Sequence, residues 1–402
     1  MRTNRALALV ALPILLLTVA AGCGSDQKSH SVEQKDLAKK QWAGARANVL
    51  GSLAKEQYEN GNFEKCRQTI TDALKIDPDN VGLRVLSAKL AIEQGNLELA
   101  DKELVQARRL DPNGAETDYL SGVVCQRWQR TQEAYEYYRS ASGKQAGELA
   151  YLMAQAEMLV AMGRSDEALD LLQAKVVFFE YSATIRDAVG QLLMQKGKFA
   201  QAVDVLRQAT ILASDDDTIR EHLALAQFHN KQYADAADVL NRLVRDDKYL
   251  KRADLYLALG ECQMQMNKPR DARDSFDTAS QLSPNQSAPW LGLGKAALGV
   301  GDLRRAEMAL KRSLSIEPAS SEGNLLLGYV RLRQNKLDEA LAAFRKSNAL
   351  DAGDTVSLCM VGYVLEKMGH NDEALRCYAQ ALKLKPNDDF ATRLMAEVQL
   401  NQ

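Results

Sequence analysis

Several things are scarce in this 402-residue chain, and each shortage removes a class of answer. Proline is scarce, with eight residues, and aromatics amount to 6%. Only four histidines occur, His30, His222, His229 and His370, which leaves little material for a catalytic or metal centre. An excess of charge of one sign is missing too, since 51 Lys plus Arg stand against 53 Asp plus Glu. That balance argues against a nucleic-acid binder and against a polybasic membrane surface. What is present is 46% apolar and 26% charged residues, enough to build a core and to keep the folded chain in solution. The length exceeds what one ordinary compact core takes, so several domains or a repeat array are expected.

The first residues read MRTNRALALVALPILLLTVAAGC, with Arg2 and Arg5 preceding an apolar run over residues 6–21. Pro13 interrupts the run, and a membrane-spanning helix needs ~20 apolar residues. A basic start, a short apolar stretch and small residues before a cut are the anatomy of a secretory signal, here residues 1–22. Ala20, Ala21 and Gly22 lead directly into Cys23, and this resembles the bacterial lipobox, with Ala20 where that pattern usually has Leu. The resemblance implies that Cys23 is lipidated and becomes the mature N-terminus, anchored by more than one acyl chain, as stable anchoring requires. Gly24 stands where Asp would favour inner-membrane retention, so the resemblance points to the periplasmic face of the outer membrane. An ordinary cleaved signal with an incidental cysteine is the alternative. Residues 23–46 begin as a polar, Ser-containing tether and turn helix-like over residues 32–42 as a lead-in.

Five prolines stand in equivalent contexts: Pro78, Pro112, Pro284, Pro318 and Pro386. Pro112 follows Pro78 by 34 residues, Pro318 follows Pro284 by 34, and Pro386 follows Pro318 by 68. The block beginning at Ser287 shows the repeated chemistry: Trp290, Leu293, Gly294, Gly301, Ala306, Leu310 and Pro318, at repeat positions 4, 7, 8, 15, 20, 24 and 32. Glycine at 8 and alanine at 20 let two helices approach, glycine at 15 turns the chain, and proline at 32 closes the unit. Position 20 is alanine in nine units, from Ala100 to Ala374, and Cys66 in the first. Unit starts fall at Ala47, Val81, Ala115, Leu149, Ala183, Asp217, Ala253, Ser287, Ser321 and Thr355, with one two-residue insertion near Arg245 to Lys248. The third unit departs furthest, because Trp128-Gln129-Arg130 replaces the glycine turn.

These residues resemble the tetratricopeptide repeat, over residues 47–388. The fold expected is all-α: a right-handed superhelical solenoid of about ten tetratricopeptide hairpins, with residues 389–402 as a C-terminal capping helix. In that family the first helix of each hairpin lines a concave groove through positions 2, 5, 9, 12 and 13. Applied residue by residue, the resemblance places Met153, Glu157, Gln191, Glu221, Leu257, Glu261, Leu291, Lys295, Leu325, Tyr329 and Tyr363 in a partner-binding groove. The Lys at position 5 and Asn at position 9 used by family members that clamp a terminal carboxylate are both missing here. Leu257, Leu291, Leu325, Tyr329 and Tyr363 make an apolar track that either meets a partner or packs within the superhelix.

No catalytic residues, metal site or cofactor are expected. His222 and His229 share a helix face, with Glu221 the obvious neighbour, and no ligand set completes a metal site. Gly292-Leu293-Gly294-Lys295 lacks the spacing of a phosphate loop. Asp215, Asp216 and Asp217 read as solvated junction residues that cap a helix. Beyond Cys23, the cysteines read as buried thiols; Cys359 and Cys377, on opposite helices of the tenth hairpin, fit either a free pair or a disulfide in an exported chain. The expected function is a non-enzymatic, membrane-anchored scaffold that binds envelope proteins or peptides during assembly of a pilus, secretion or exopolysaccharide-export machine. The alternatives are an adaptor for an envelope hydrolase or glycosyltransferase, an enzyme, and self-association.

Overall fold

The computed structural model describes residues 26–400, with side chains from residue 37 onward. The expected signal segment and the lipidation site Cys23 lie outside the described residues. Among those described there are 21 helices and no strand, forming an all-α repeat solenoid in two units divided after Arg164. The first unit holds α1 (Asp26–Glu59), α2 (Phe63–Ile76), α3 (Val81–Glu93), α4 (Leu97–Leu110), α5 (Ala115–Arg127), α6 (Thr131–Lys144) and α7 (Leu149–Ala161). The second holds α8 (Ser165–Val176), α9 (Ala183–Gln195), α10 (Phe199–Leu212), α11 (Asp217–His229), α12 (Tyr233–Leu243), α13 (Ala253–Gln265) and α14 (Pro269–Leu282). It continues with α15 (Ser287–Val300), α16 (Leu303–Ile316), α17 (Ser321–Arg333), α18 (Leu337–Leu350), α19 (Thr355–Lys367), α20 (Asn371–Leu384) and α21 (Asp389–Leu400). No helix among the described residues is long and apolar enough to cross a membrane.

α1 runs unbroken from Asp26 to Glu59, so the segment read as a tether is helical from Asp26 onward. The physical reason is composition: apart from Gly44 and Gly51, residues 26–59 contain no helix breaker, and they are rich in Lys, Gln, Glu and Ala. On its outer side Trp42 and Val49 remain exposed, at 65% and 70%, and Arg46 lies over the Trp42 ring.

Two kinds of turn join the helices. Within a hairpin the turn residue at position 15 has positive φ in all ten units. Six are glycines, and the other four are Gln129, Lys231, Asn267 and Asn335, with φ of 61, 62, 56 and 57°. The third hairpin therefore makes the same turn as the rest, and what the position requires is a left-handed backbone. Asparagine tolerates that conformation, whereas Lys231 adopts it at a steric cost of about 1–2 kcal/mol. Lys231→Gly is expected to stabilise the sixth hairpin by about 0.5–1 kcal/mol, after allowing for the extra freedom glycine has when unfolded. Hydrogen exchange across α11 and α12 measures this, and unchanged or faster exchange would rule it out.

Between hairpins the backbone makes a tight turn in which the residue at position 34 donates to the carbonyl at position 31, as in Asn80 to Asp77, Ser320 to Glu317 and Asp354 to Asp351. Proline occupies the second place of such turns in five units because its fixed φ suits that corner. The turn at Asp354 forms without it. The residue at position 34 often caps the following helix: Asn80, Ser182, Asp216, Ser320 and Asp354 each accept from its first free N–H groups. The two-residue insertion makes an extra turn, with Tyr249 donating to Asp246 and Arg252 to Tyr249.

The hairpins are held together at one recurring contact. The side chain at position 24 of the second helix lies over position 8 of the first. Where position 24 is aromatic, in Tyr138, Phe276, Phe344 and Tyr378, position 8 is glycine: Gly122, Gly260, Gly328 and Gly362. Where Ala occupies position 8, as in Ala88 and Ala224, position 24 is Leu104 or Leu240. All these side chains are buried, and burying each is worth roughly 1.5–3 kcal/mol. At the C-terminal end α21 lays Ala391, Leu394 and Val398 into the core of α19 and α20, while Asp388 caps it and accepts from Thr355 Oγ1 at 2.7 Å.

Candidate functional site

Odd-numbered helices of neighbouring hairpins lie side by side within each unit, as α1 with α3, α9 with α11 and α13 with α15 do. Residues at positions 2, 5 and 9 share one face of each such helix. The surface these faces form is not uniform, and each part of it has a distinct chemistry.

In the first unit Met153 is half-buried, and Glu157 is exposed and accepts from Gln126 Nε2 at 3.0 Å. Neither lines the cleft of about 790 Å³ that opens in the same unit between α1, α3 and α5, lined by Gly51, Lys55, Val85, Lys89 and Thr117. Sequence reasoning weighted the other end of the chain. The available signal was the small residue Gly51 at position 5, together with the run of lysines at position 9.

In the second unit the surface begins as a polar lattice. Asp187 accepts from Gln191 Nε2 at 2.7 Å and sits 2.7 Å from His222 Nδ1 on the next hairpin. Asp187 is therefore the partner of His222, in place of the expected Glu221. The pairing lifts the imidazole above its ordinary pKa, against partial burial. Glu221 instead binds Arg252 at 2.8 Å, and Arg252 also holds Asp254 at 2.5 Å. Asp217 corrects a second expectation. It is 9% exposed rather than solvated, and it pairs with Arg220 and with Lys248 at 2.5 Å. The inserted loop supplies Lys248, which local pattern does not connect to Asp217. His229 stacks on Phe199, with ring centroids 5.0 Å apart.

Past this lattice the surface turns apolar. Leu257 and Leu291 line a cleft of about 350 Å³ with Phe276 at its base and Glu261 and Lys295 at its rim. Lys295 is neutralised by Glu322 at 2.8 Å. Leu325 and Tyr329 are half-buried against the C-terminal core, and the Tyr329 ring meets Phe344 edge-on at 5.3 Å. Tyr363 is half-buried too, with Lys367 Nζ 5.3 Å from its ring centre. All five are half-buried against the core, and of them Leu257 and Leu291 in addition line the cleft.

One exposed surface went unremarked in the sequence. Val177, Phe178, Tyr181 and Ile211 are 84%, 62%, 82% and 75% exposed at the ends of α8 and α10. Position 29 is Lys75, Arg109, Gln281 and Ser315 in other hairpins, so Val177 and Ile211 were visible departures.

The chemistry for catalysis is sparse. Cys66, Cys125, Cys262 and Cys359 are buried, Cys377 is half-buried, and all five are free. Burial pushes the Cys262 thiol up to about 11 and that of Cys359 up to about 12, the opposite of nucleophile activation. Among the described residues no group of three or more His, Cys, Asp or Glu is placed to hold a metal ion.

Residues 57–121 match the family model described as tetratricopeptide repeat, and residues 214–402 match that of the cilia and flagella-associated protein 70 C-terminal domain. No curated protein matches the chain in sequence. Among solved structures, a tetratricopeptide repeat protein from Parabacteroides merdae is similar at 17% identity, covering 62% of this chain and 98% of that one, with a TM-score of 0.44. MamA from Desulfovibrio magneticus is similar at 17% identity over 44% of this chain and 98% of that one, with a TM-score of 0.41. A thermophilic tetratricopeptide protein of Thermus thermophilus is similar at 21% identity over 46% of this chain and all of that one, with a TM-score of 0.38.

Proposed function

Because this chain is a solenoid of tetratricopeptide repeats, we propose that it is a protein-binding scaffold, tethered through a lipid on Cys23 at the bacterial envelope, that holds components of an envelope machine together. One observation carries the binding part: in the second unit Leu257 and Leu291 line an open cleft of about 350 Å³. Such a surface gains most from a partner segment that removes it from water. The anchoring part is supported by the order of basic start, apolar run, Ala20, Ala21, Gly22 and Cys23. Gly24 supports the outer membrane as its destination. Assembly of a pilus, secretion or polysaccharide-export apparatus is the role that joins an anchor to a stack of protein-binding hairpins.

Two experiments test the two parts separately. Affinity capture from a crosslinked envelope is expected to return a reproducible partner set, and a Leu257→Ser/Leu291→Ser variant of unchanged helical content is expected to lose it. Capture that yields nothing reproducible, or that is indifferent to the variant, ends the scaffold reading. For the anchor, Cys23→Ala is expected to move the protein from the membrane fraction to the soluble fraction. Tight membrane association of that variant would refute lipidation.

A further inference from the structure

Phe276 occupies an unusual position in the cleft of the second unit. Its ring lies between Gly260 on its own hairpin and Gly292 on the next, so close that a Cβ at either glycine would lie 2.7 Å and 2.6 Å from the ring. Gly292 stands at position 6, where the other hairpins carry Ala, Ser, His, Leu or Met, so this is the place where one side chain is withdrawn from the groove. The ring fills the space beneath and forms the floor of a pocket walled by Leu257, Met264 and Leu291. A volume of about 350 Å³ admits one large apolar side chain together with part of its neighbour.

Charge at the rim is asymmetric. Lys295 makes a close ion pair with Glu322, whereas Glu261 makes none and feels Lys295 and His229 only through space. Its side chain reaches solvent, yet the apolar lining beneath it raises the carboxyl above the usual range. A carboxylate beside an apolar pocket that makes no close ion pair is the complement of a cation carried next to an apolar group.

We infer that the cleft between α13 and α15 is an anchor socket for a partner segment carrying a leucine- or phenylalanine-sized side chain beside a lysine or arginine, with Phe276 as floor and Glu261 as the cation's partner. This inference rests on the scaffold reading and deepens it. The anchor side chain enters between Leu257 and Leu291, and its neighbouring ammonium or guanidinium approaches Glu261 from the solvent side. Sequence selectivity comes from this pair of demands, because Leu325, Tyr329 and Tyr363 offer apolar contact without Glu261 beside them.

Fluorescein-labelled 12-residue peptides test it by anisotropy against the full chain in detergent: one set has Leu or Phe flanked by Lys, and a matched set has Glu in place of Lys. The Lys set is expected to bind, with Glu261→Lys weakening it about 10-fold and transferring preference to the Glu set. Ala288→Phe, which fills the cleft from an exposed position, is expected to weaken both sets about 10-fold or more. Both sites are exposed, so helical content and melting should match the unmodified chain. Lys peptides that bind the two variants and the unmodified chain equally would overturn the socket while leaving the scaffold intact. Failure of both sets to bind, with crosslinked partners still captured, would do the same. Concentration-dependent dimerisation abolished by Glu261→Lys would assign the cleft to a second copy and also overturn the inference.

Discussion

Gly328→Ala is expected to destabilise the ninth hairpin by about 2–3 kcal/mol, and a second substitution, Phe344→Leu, is expected to recover most of that loss. A Cβ at residue 328 would stand 2.5 Å from Phe344 Cε1 and 2.6 Å from Cδ1, well inside contact distance. Phe344 cannot retreat, since it is fully buried and Tyr329 packs against it edge-on. Exchanging the pair for Ala with Leu reproduces the buried combination at Ala88 with Leu104 and at Ala224 with Leu240, and recovery requires the leucine to be placed as it is there, since Leu206 and Leu310 crowd Gly190 and Gly294. The recovery is what distinguishes close packing from helix propensity, because Ala is the better helix former and on that ground alone would stabilise α17. Hydrogen exchange resolved by helix is the suitable measurement, since a repeat array unfolds in parts and a single melting temperature averages over them. A single variant that is neutral, or a double variant worse than the single one, would show that the contact does not set the hairpin's geometry.

The second large effect belongs to Asp118→Ala in the first unit, expected to cost about 3 kcal/mol. Asp118 is 3% exposed, and it accepts from Arg108 Nε at 2.9 Å, from Ser140 Oγ at 2.6 Å and from Lys144 Nζ. It thereby ties α4, α5 and α6 together. Removing it leaves two cations without their partner, although each is about a quarter exposed, at 28% for Arg108 and 25% for Lys144, so water offsets part of the loss. Burial alone would raise the Asp118 carboxyl, but hydrogen bonds from Lys144, Ser140 and Arg108 outweigh it and hold the pKa below the ordinary value. A carboxyl whose pKa is depressed by folding adds stability above its unfolded value of about 3.9, and that stability is lost as pH falls through the folded value. Protection of α4 to α6 should therefore decline as the pH falls below about 4, and Asp118→Ala should flatten that decline. Equal acid sensitivity in both proteins would place the titrating group elsewhere.

Much of this arrangement could be read from the residues alone. Alanine at position 20, glycine at position 15 and proline at position 32 are local requirements of close helix approach, a left-handed turn and a tight corner, and each recurs every 34 residues. Gln129, Lys231, Asn267 and Asn335 hid the turn rule in four hairpins, because the backbone, not the glycine, is what the turn needs. The candidate site was legible only as a set of helix faces. Leu257, Leu291, Glu261 and Lys295 meet at one cleft, whereas Leu325, Tyr329 and Tyr363, at equivalent positions, do not line it. Nothing in their residue types separates the two outcomes. The difference lies in Gly292 and in what stands across from each residue on the next hairpin.

The sequence by itself determined the repeat, its register and most of its turns, because each of these follows from contacts within one hairpin. Tertiary structure alone decided which groove residues are paired and which are left open. Asp187 with His222 spans 35 residues, Lys248 with Asp217 spans 31, and the Phe276 ring lies under a glycine of the following hairpin. Those contacts depend on how far apart neighbouring hairpins stack and on how each side chain turns across the gap, and a periodic pattern, being the same in every hairpin, does not contain that information.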